Sequence, residues 1–165
     1  VTRRRADRDA RRGYFAVGIW HPKNSANTGS LLRSAWLYGA AFVFTVGCRY
    51  DRQASDTVST PHAVPLLHFA SITDLAAHLP WSAALVGVEL TDDAVPLAGF
   101  RHPPRACYLL GAEDHGLPPA VLDRCHHLVR IETPRPVSLN VACAGTVVLH
   151  HRHSVLAAMS PAAAT

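Results

Sequence analysis

Short apolar runs alternate with polar, turn-forming stretches along the chain, and their spacing predicts the elements. Tyr14–Trp20 reads as a buried strand. From Asn27 to Gly39 the apolar residues Leu31, Leu32, Ala35, Trp36 and Ala40 recur near a helical period, and Gly39 is suited to end that helix. Ala41–Val46 is a second strand, Gly47–Pro61 a polar loop, and Val64–Ala70 a third strand. Ser71–Leu79 predicts a short helix, with Ser71 as N-cap and Pro80 as its stop. Ala83–Leu90 is a fourth strand. Thr91–Arg105 holds Pro96, Gly99, Pro103 and Pro104 and reads as a loop. Ala106–Leu110 is a fifth strand, Pro118–Cys125 a helix with proline in its first turn, and His127–Ile131 a sixth strand. Ser138 to about Val155 predicts a terminal helix rich in small residues, and Ser160–Thr165 a frayed tail.

Strands that are apolar throughout and alternate with helices indicate an α/β fold, a parallel sheet covered on both faces. With no internal repeat and no linker, one domain is expected over 14–156, flanked by an arm at 1–13 and a tail at 157–165. Ligands in such sheets bind beyond the carboxyl ends of the strands. That directs attention to the loops after Trp20, Leu90, Leu110 and Ile131.

Charge changes this picture at one place. Residues 1–12 contain six arginines, Arg3, Arg4, Arg5, Arg8, Arg11 and Arg12, against Asp7 and Asp9. The remaining chain has ten Lys and Arg against ten Asp and Glu, so the arm supplies the whole net charge of +4. A basic arm on a neutral body suits a phosphate-rich partner. Cys48, Cys107, Cys125 and Cys143 lie far apart with no C-x-x-C pair, which argues against a disulfide framework or zinc site and for reduced thiols in a cytoplasmic protein. No apolar run is long enough to span a bilayer, so no membrane partner is expected. The pairs His126-His127 and His150-His151 have no carboxylate or Cys at ligand spacing, and no metal is expected.

Three segments carry candidate chemistry. His21 to Arg33 leads from a strand end into a helix and holds Asn27, Gly29 and an Arg33 on an otherwise apolar stretch. Tyr108 to Pro119 leads from a strand to a helix through Gly111, Ala112, Glu113 and Gly116, where glycines admit a ligand close to the backbone. It lacks the ending of a phosphate-binding P-loop and the serine of a hydrolase elbow. Ile131 to Gly145 places Ser138, Leu139 and Asn140 before the small residues Ala142, Cys143, Ala144 and Gly145.

In order and spacing these segments resemble the three motifs of the SpoU type of RNA methyltransferase, over about Tyr14 to His151. Asn27, Gly29 and Arg33 resemble the first motif, Gly111, Glu113 and Gly116 the second, and Ser138 to Gly145 the third. The chain departs from the family where a Pro-Met and a Gly often precede the third motif; here the run is Glu132-Thr-Pro-Arg-Pro-Val. The resemblance implies a parallel sheet with a C-terminal deep trefoil knot over roughly Ala83–Val155. It also implies S-adenosylmethionine as cofactor, homodimers whose subunits share their sites, and methyl transfer to a ribose 2′-hydroxyl of RNA. The cofactor is expected among Val88, Glu89, Leu110, Gly111, Ala112, Glu113, Gly116, Ile131, Ser138 and Leu139. The catalytic set implied is Arg33, Asn27, Glu113, Ser138 and Asn140. Arg33, Arg49, Arg52 and arm residues Arg3, Arg4 and Arg5 are candidate RNA contacts, and the short arm favours tRNA over rRNA. The small-residue face of the terminal helix is the expected dimer surface. A non-catalytic RNA-binding protein that kept the knotted fold is the competing reading.

Overall fold

The computed structural model describes residues 14–49, 64–135 and 137–159. Seven parallel strands form one sheet: β1 (Tyr14–Trp20), β2 (Phe42–Val46), β3 (Leu66–Phe69), β4 (Ala84–Val88), β5 (Val95–Pro96), β6 (Arg105–Leu110) and β7 (His127–Arg130). Their order across the sheet is β3-β2-β1-β6-β4-β7-β5. Among the described residues four α-helices accompany them: α1 (Ser25–Tyr38), α2 (Ile72–Ala77), α3 (Pro119–Leu122) and α4 (Val141–Met159).

Alternation along the strands divides the core into two layers. On β6, Tyr108 and Leu110 join Val17, Ile19, Leu31, Leu32, Val148 and Leu149 beneath α1 and α4. Cys107 and Leu109 point the other way, into a layer of Phe42, Phe44, Phe69, Leu75, Leu85 and Val121 that α2 and α3 complete. Helix α1 lies along α4, and the hydroxyls of Ser34 and Thr146 bond between them at 2.7 Å.

Several expectations shift. Helix α1 begins before Asn27 because the Asn24 side chain accepts the Ala26 N–H and caps it. Ser71 caps α2 as expected, accepting the Asp74 N–H at 3.1 Å. The predicted loop over 91–105 contains the two-residue strand β5 and a 3-10 turn, Leu97–Gly99. Helix α4 starts three residues after Ser138 and runs on through Met159, so the first residues of the expected tail are helical. Of the small residues of α4, Ala142 and Gly145 turn into the subunit while Cys143 is exposed. Ala142 is buried, and a Cβ on Gly145 would overlap Leu31 and lie 2.9 Å from Leu110, so these two are used inside the subunit. Most of the loop predicted over 47–61 lies outside the described residues.

Candidate active site

The carboxyl ends of β4, β6 and β7 open into a cleft with about 740 Å³ of space, its mouth included. All ten residues expected at a cofactor line it: Val88, Glu89, Leu110, Gly111, Ala112, Glu113, Gly116, Ile131, Ser138 and Leu139. Leu90, Asp114, Val137, Val141 and Ala144 line it as well. These five were not in the cofactor set expected from sequence, although Asp114, Val141 and Ala144 lie within the motif segments. Val137 and Leu139 are 64% and 40% exposed and form an apolar rim.

The loop after β6 is pinched closed. Ala112 and Gly116 exchange backbone hydrogen bonds of 3.1 and 2.9 Å, and Gly116 adopts a left-handed φ of 62°. Into this loop reaches Glu89, from the end of β4. Its Oε2 accepts the Leu117 N–H at 2.6 Å and its Oε1 the Leu90 N–H at 2.9 Å. A Cβ on Gly111 or on Gly116 would overlap Oε2. The two motif glycines therefore make room for a carboxylate, and that carboxylate braces the loop from beneath. Sequence reasoning placed Glu89 at the cofactor but missed this bracing, because the partners lie 28 residues apart in the chain.

A second tie joins the first and third motifs. The Asn140 Nδ2 donates to Asn27 Oδ1 at 3.0 Å across 113 positions. The Asn140 Oδ1 accepts the N–H groups of Ala142 and Cys143 at 2.9 and 3.3 Å, capping α4. Asn140 thus holds the helix and Asn27 at once. Lys23, just before α1, forms an ion pair with Asp114 of the pinched loop, and this bond and charge hold the Asp114 carboxyl below its usual pKa. Both side chains are exposed, so the pair adds little stability.

Two expected catalytic residues stand apart. Arg33 is exposed on α1, is not among the cleft residues, and has no hydrogen bond or ion pair among the described residues. Glu113 is on the cleft wall, exposed, and equally unpaired among the described residues. Within one subunit the structure does not bring the two together. Arg33 shares its helical face with Trp36 and Leu37, which are 47% and 66% exposed. Arg49 is exposed beyond the end of β2, while Arg3, Arg4, Arg5 and Arg52 lie outside the described residues. Among the described residues no three His, Cys, Asp or Glu side chains gather to hold a metal, and no helix is long and apolar enough to cross a membrane.

The chain is similar to several known proteins. It is 31% identical, over 82% of its length, to a mouse protein, the tRNA (guanosine(18)-2′-O)-methyltransferase TARBP1, of which it spans 9%. Among solved structures, AviRb of Streptomyces viridochromogenes, a SpoU methyltransferase seen in complex with AdoMet, superposes with a TM-score of 0.76 at 25% identity. That match covers 88% of this chain and 61% of AviRb. A structure described as giving insight into 2-OH methylation of C/U34 on tRNA superposes at 0.78 with 24% identity, over 89% of this chain and 99% of that one, and supports the fold alone. Residues 14–150 match the SpoU rRNA Methylase family, and the chain belongs to it.

Proposed function

We propose that this chain transfers a methyl group from S-adenosylmethionine to a ribose 2′-hydroxyl of an RNA, with tRNA favoured over rRNA. The carrying observation is that the braced loop at Gly111–Gly116 and the segment Ile131–Leu139 face each other across one cleft, while Asn140 ties that segment to Asn27. The cleft fits the cofactor. The exposed rim of Val137 and Leu139 offers apolar surface for an adenosine. Gly111 and Gly116 keep the opposite wall at backbone level. The activity for which the mouse relative is named supports a 2′-oxygen on tRNA as the acceptor.

The bound cofactor supplies a methyl group already activated on a sulfonium, so the protein's work is to position the 2′-hydroxyl and accommodate its proton. Arg33 is permanently protonated and does not serve as a base. It orients the neighbouring phosphate and stabilises the developing alkoxide. Because Arg33 stands off the cleft of its own subunit, this role calls for a homodimer in which it completes the other subunit's site. The exposed Trp36 and Leu37 beside it supply apolar surface for that contact. In this reading Glu113, exposed on the cleft wall, receives it. Asn27 positions the ribose, and Ser138 and Asn140 shape the cofactor wall. Arg49 and the arginines of the arm add phosphate contacts. The same reading carries a deep trefoil knot over roughly Ala83–Val155 and a cytoplasmic, metal-free enzyme.

The test is direct. The protein is incubated with isotopically labelled S-adenosylmethionine and pooled tRNA or rRNA, and the digested nucleosides are identified by mass spectrometry. A labelled 2′-O-methylnucleoside is expected; label on a base would refute the 2′-oxygen as acceptor. Absence of cofactor binding by calorimetry would instead favour a non-catalytic RNA-binding protein.

A further inference from the structure

In a parallel sheet every strand begins at the same edge, so the end opposite the cleft gathers whatever precedes the strands. Four neighbouring strands, β1, β6, β4 and β7, begin there side by side. In sequence, Gly13 and the arginine-rich residues 1–12 precede β1. Arg105 opens β6 in register with Tyr14. Trp81 lies three residues before β4, and Arg124 three before β7. His126 holds that last turn against the start of β4, exchanging bonds with the Leu85 backbone at 2.8 and 3.0 Å. At roughly 4.8 Å between strands, the four starts span about 15 Å.

Trp81 is unusual for a globular surface. It is 85% exposed, more than any other large apolar side chain described. It is also held in place. The turn it occupies is closed by an Ala83 N–H bond to the Pro80 carbonyl at 2.9 Å, and the next residue, Ser82, adopts a left-handed φ of 60°. A non-glycine residue in that region is uncommon and costs energy. The Arg105 guanidinium sits 5.5 Å from the centre of the Trp81 ring, which leaves most of the ring open.

Charge at this edge contrasts with the cleft. Of the eight described carboxylates, only Asp123 belongs to the turns that lead into strands here; the other seven follow strand ends on the cleft side. We propose that this edge is a second RNA contact, in which Trp81 stacks on an unpaired base and Arg105 and Arg124 meet phosphates. The proposal rests on the RNA methyltransferase reading above and extends it to a surface away from the chemistry. Stacking on an aromatic ring is open to every base, and Arg alongside supplies both charge and cation–π attraction. The edge lies on the order of 17 Å from the cleft, the length of β6 at 3.3 Å per residue. A folded RNA spans that distance.

The experiment compares wild type with Trp81→Ala, Trp81→Phe and Arg105→Gln, using labelled oligo(U) RNA and pooled tRNA across a salt series. Trp81→Ala is expected to weaken binding roughly five- to a hundredfold, the range for removing one stacked base. Trp81→Phe should keep most of the affinity, and Arg105→Gln should flatten the salt slope by about 0.7. Calorimetry with S-adenosylmethionine should give wild-type affinity for all three, and melting curves should be unchanged because Trp81 is exposed. Equal RNA affinity for wild type and Trp81→Ala would overturn the proposal, including the case where Trp81→Ala alters only the oligomeric mass. Methyl transfer by the wild type is read in the same samples. Its absence would count against the proposed function, while loss of affinity in Trp81→Ala would still support the contact.

Discussion

Single side chains at this site act through what they hold. Glu89 is surrounded by backbone: it accepts two N–H groups and sits against Gly111 and Gly116. Replacing it by alanine leaves the Leu117 N–H without its acceptor, at a cost of about 1–3 kcal/mol. Glu89→Ala should therefore lower stability by that amount in urea titrations and weaken S-adenosylmethionine binding in calorimetry, because the loop loses its brace. Full cofactor affinity in this variant would show that the loop holds its shape unaided. Arg33 should behave in the opposite way. It stands off the cofactor cleft, so Arg33→Ala is expected to abolish methyl transfer and leave cofactor affinity nearly intact. Retention of more than about a tenth of the wild-type rate, a barrier change under ~1.4 kcal/mol, would count against its catalytic role.

At the level of elements, Asn140 is where α4 is started and tied to α1. Its oxygen caps α4, and its amide nitrogen reaches Asn27. The two duties separate by substitution. Asn140→Asp keeps the acceptor and loses the donor; Asn140→Ala loses both. The alanine variant should be less stable than wild type by about 1 kcal/mol, the usual cost of a lost N-cap, with aspartate close to wild type. Both should lose methyl transfer if the Asn27 contact sets the geometry of the ribose site. An active Asn140→Asp, measured at saturating RNA, would reduce that contact to a structural one.

Across the whole molecule, a buried polar network joins α4 to the sheet. Arg152 donates to the carbonyls of Pro103 and Pro104 at 2.7 and 3.0 Å and to the Tyr108 hydroxyl at 3.3 Å. His102 bonds Tyr108 at 2.6 Å and His151 at 2.8 Å. Burial, with Arg152 and His151 nearby, pushes the His102 pKa down to about 3, and burial pushes Tyr108 up to about 12. The folded protein thus keeps His102 neutral where the unfolded chain takes up a proton, near pH 6.5. The stability this group contributes is present above that pH and is lost progressively as pH falls toward 3. Melting temperature should drop over that window, and less steeply for His102→Asn; parallel profiles would remove His102 as a cause. The arm also acts at this scale. If residues 1–12 make three or four phosphate contacts, deleting them should flatten the slope of log K against log salt by about 2–3 units, with cofactor binding unchanged. Parallel lines would show that the arm does not touch RNA.

What the sequence by itself determined was local. Apolar runs marked six strands, because β-sheet burial on both faces leaves an uninterrupted signature, as in Phe42–Val46 and Arg105–Leu110. Ser71 announced a helix start, since capping involves residues only three apart. The three motifs identified the family, and the second and third marked the cleft walls, because backbone-level contact needs small residues wherever it occurs. The seventh strand escaped notice: two residues, one of them proline, carry no period. The tertiary structure decided everything that depends on which element covers which. It put β6 between β1 and β4, turned Gly145 of α4 inward onto Leu31, buried Arg152 and left Trp81 in solvent. It also joined Asn27 to Asn140 and fitted Glu89 between two glycines. The pattern along a chain records how apolar a face is. What meets that face is set by pairing and packing between residues distant in sequence, and those contacts leave no period to read.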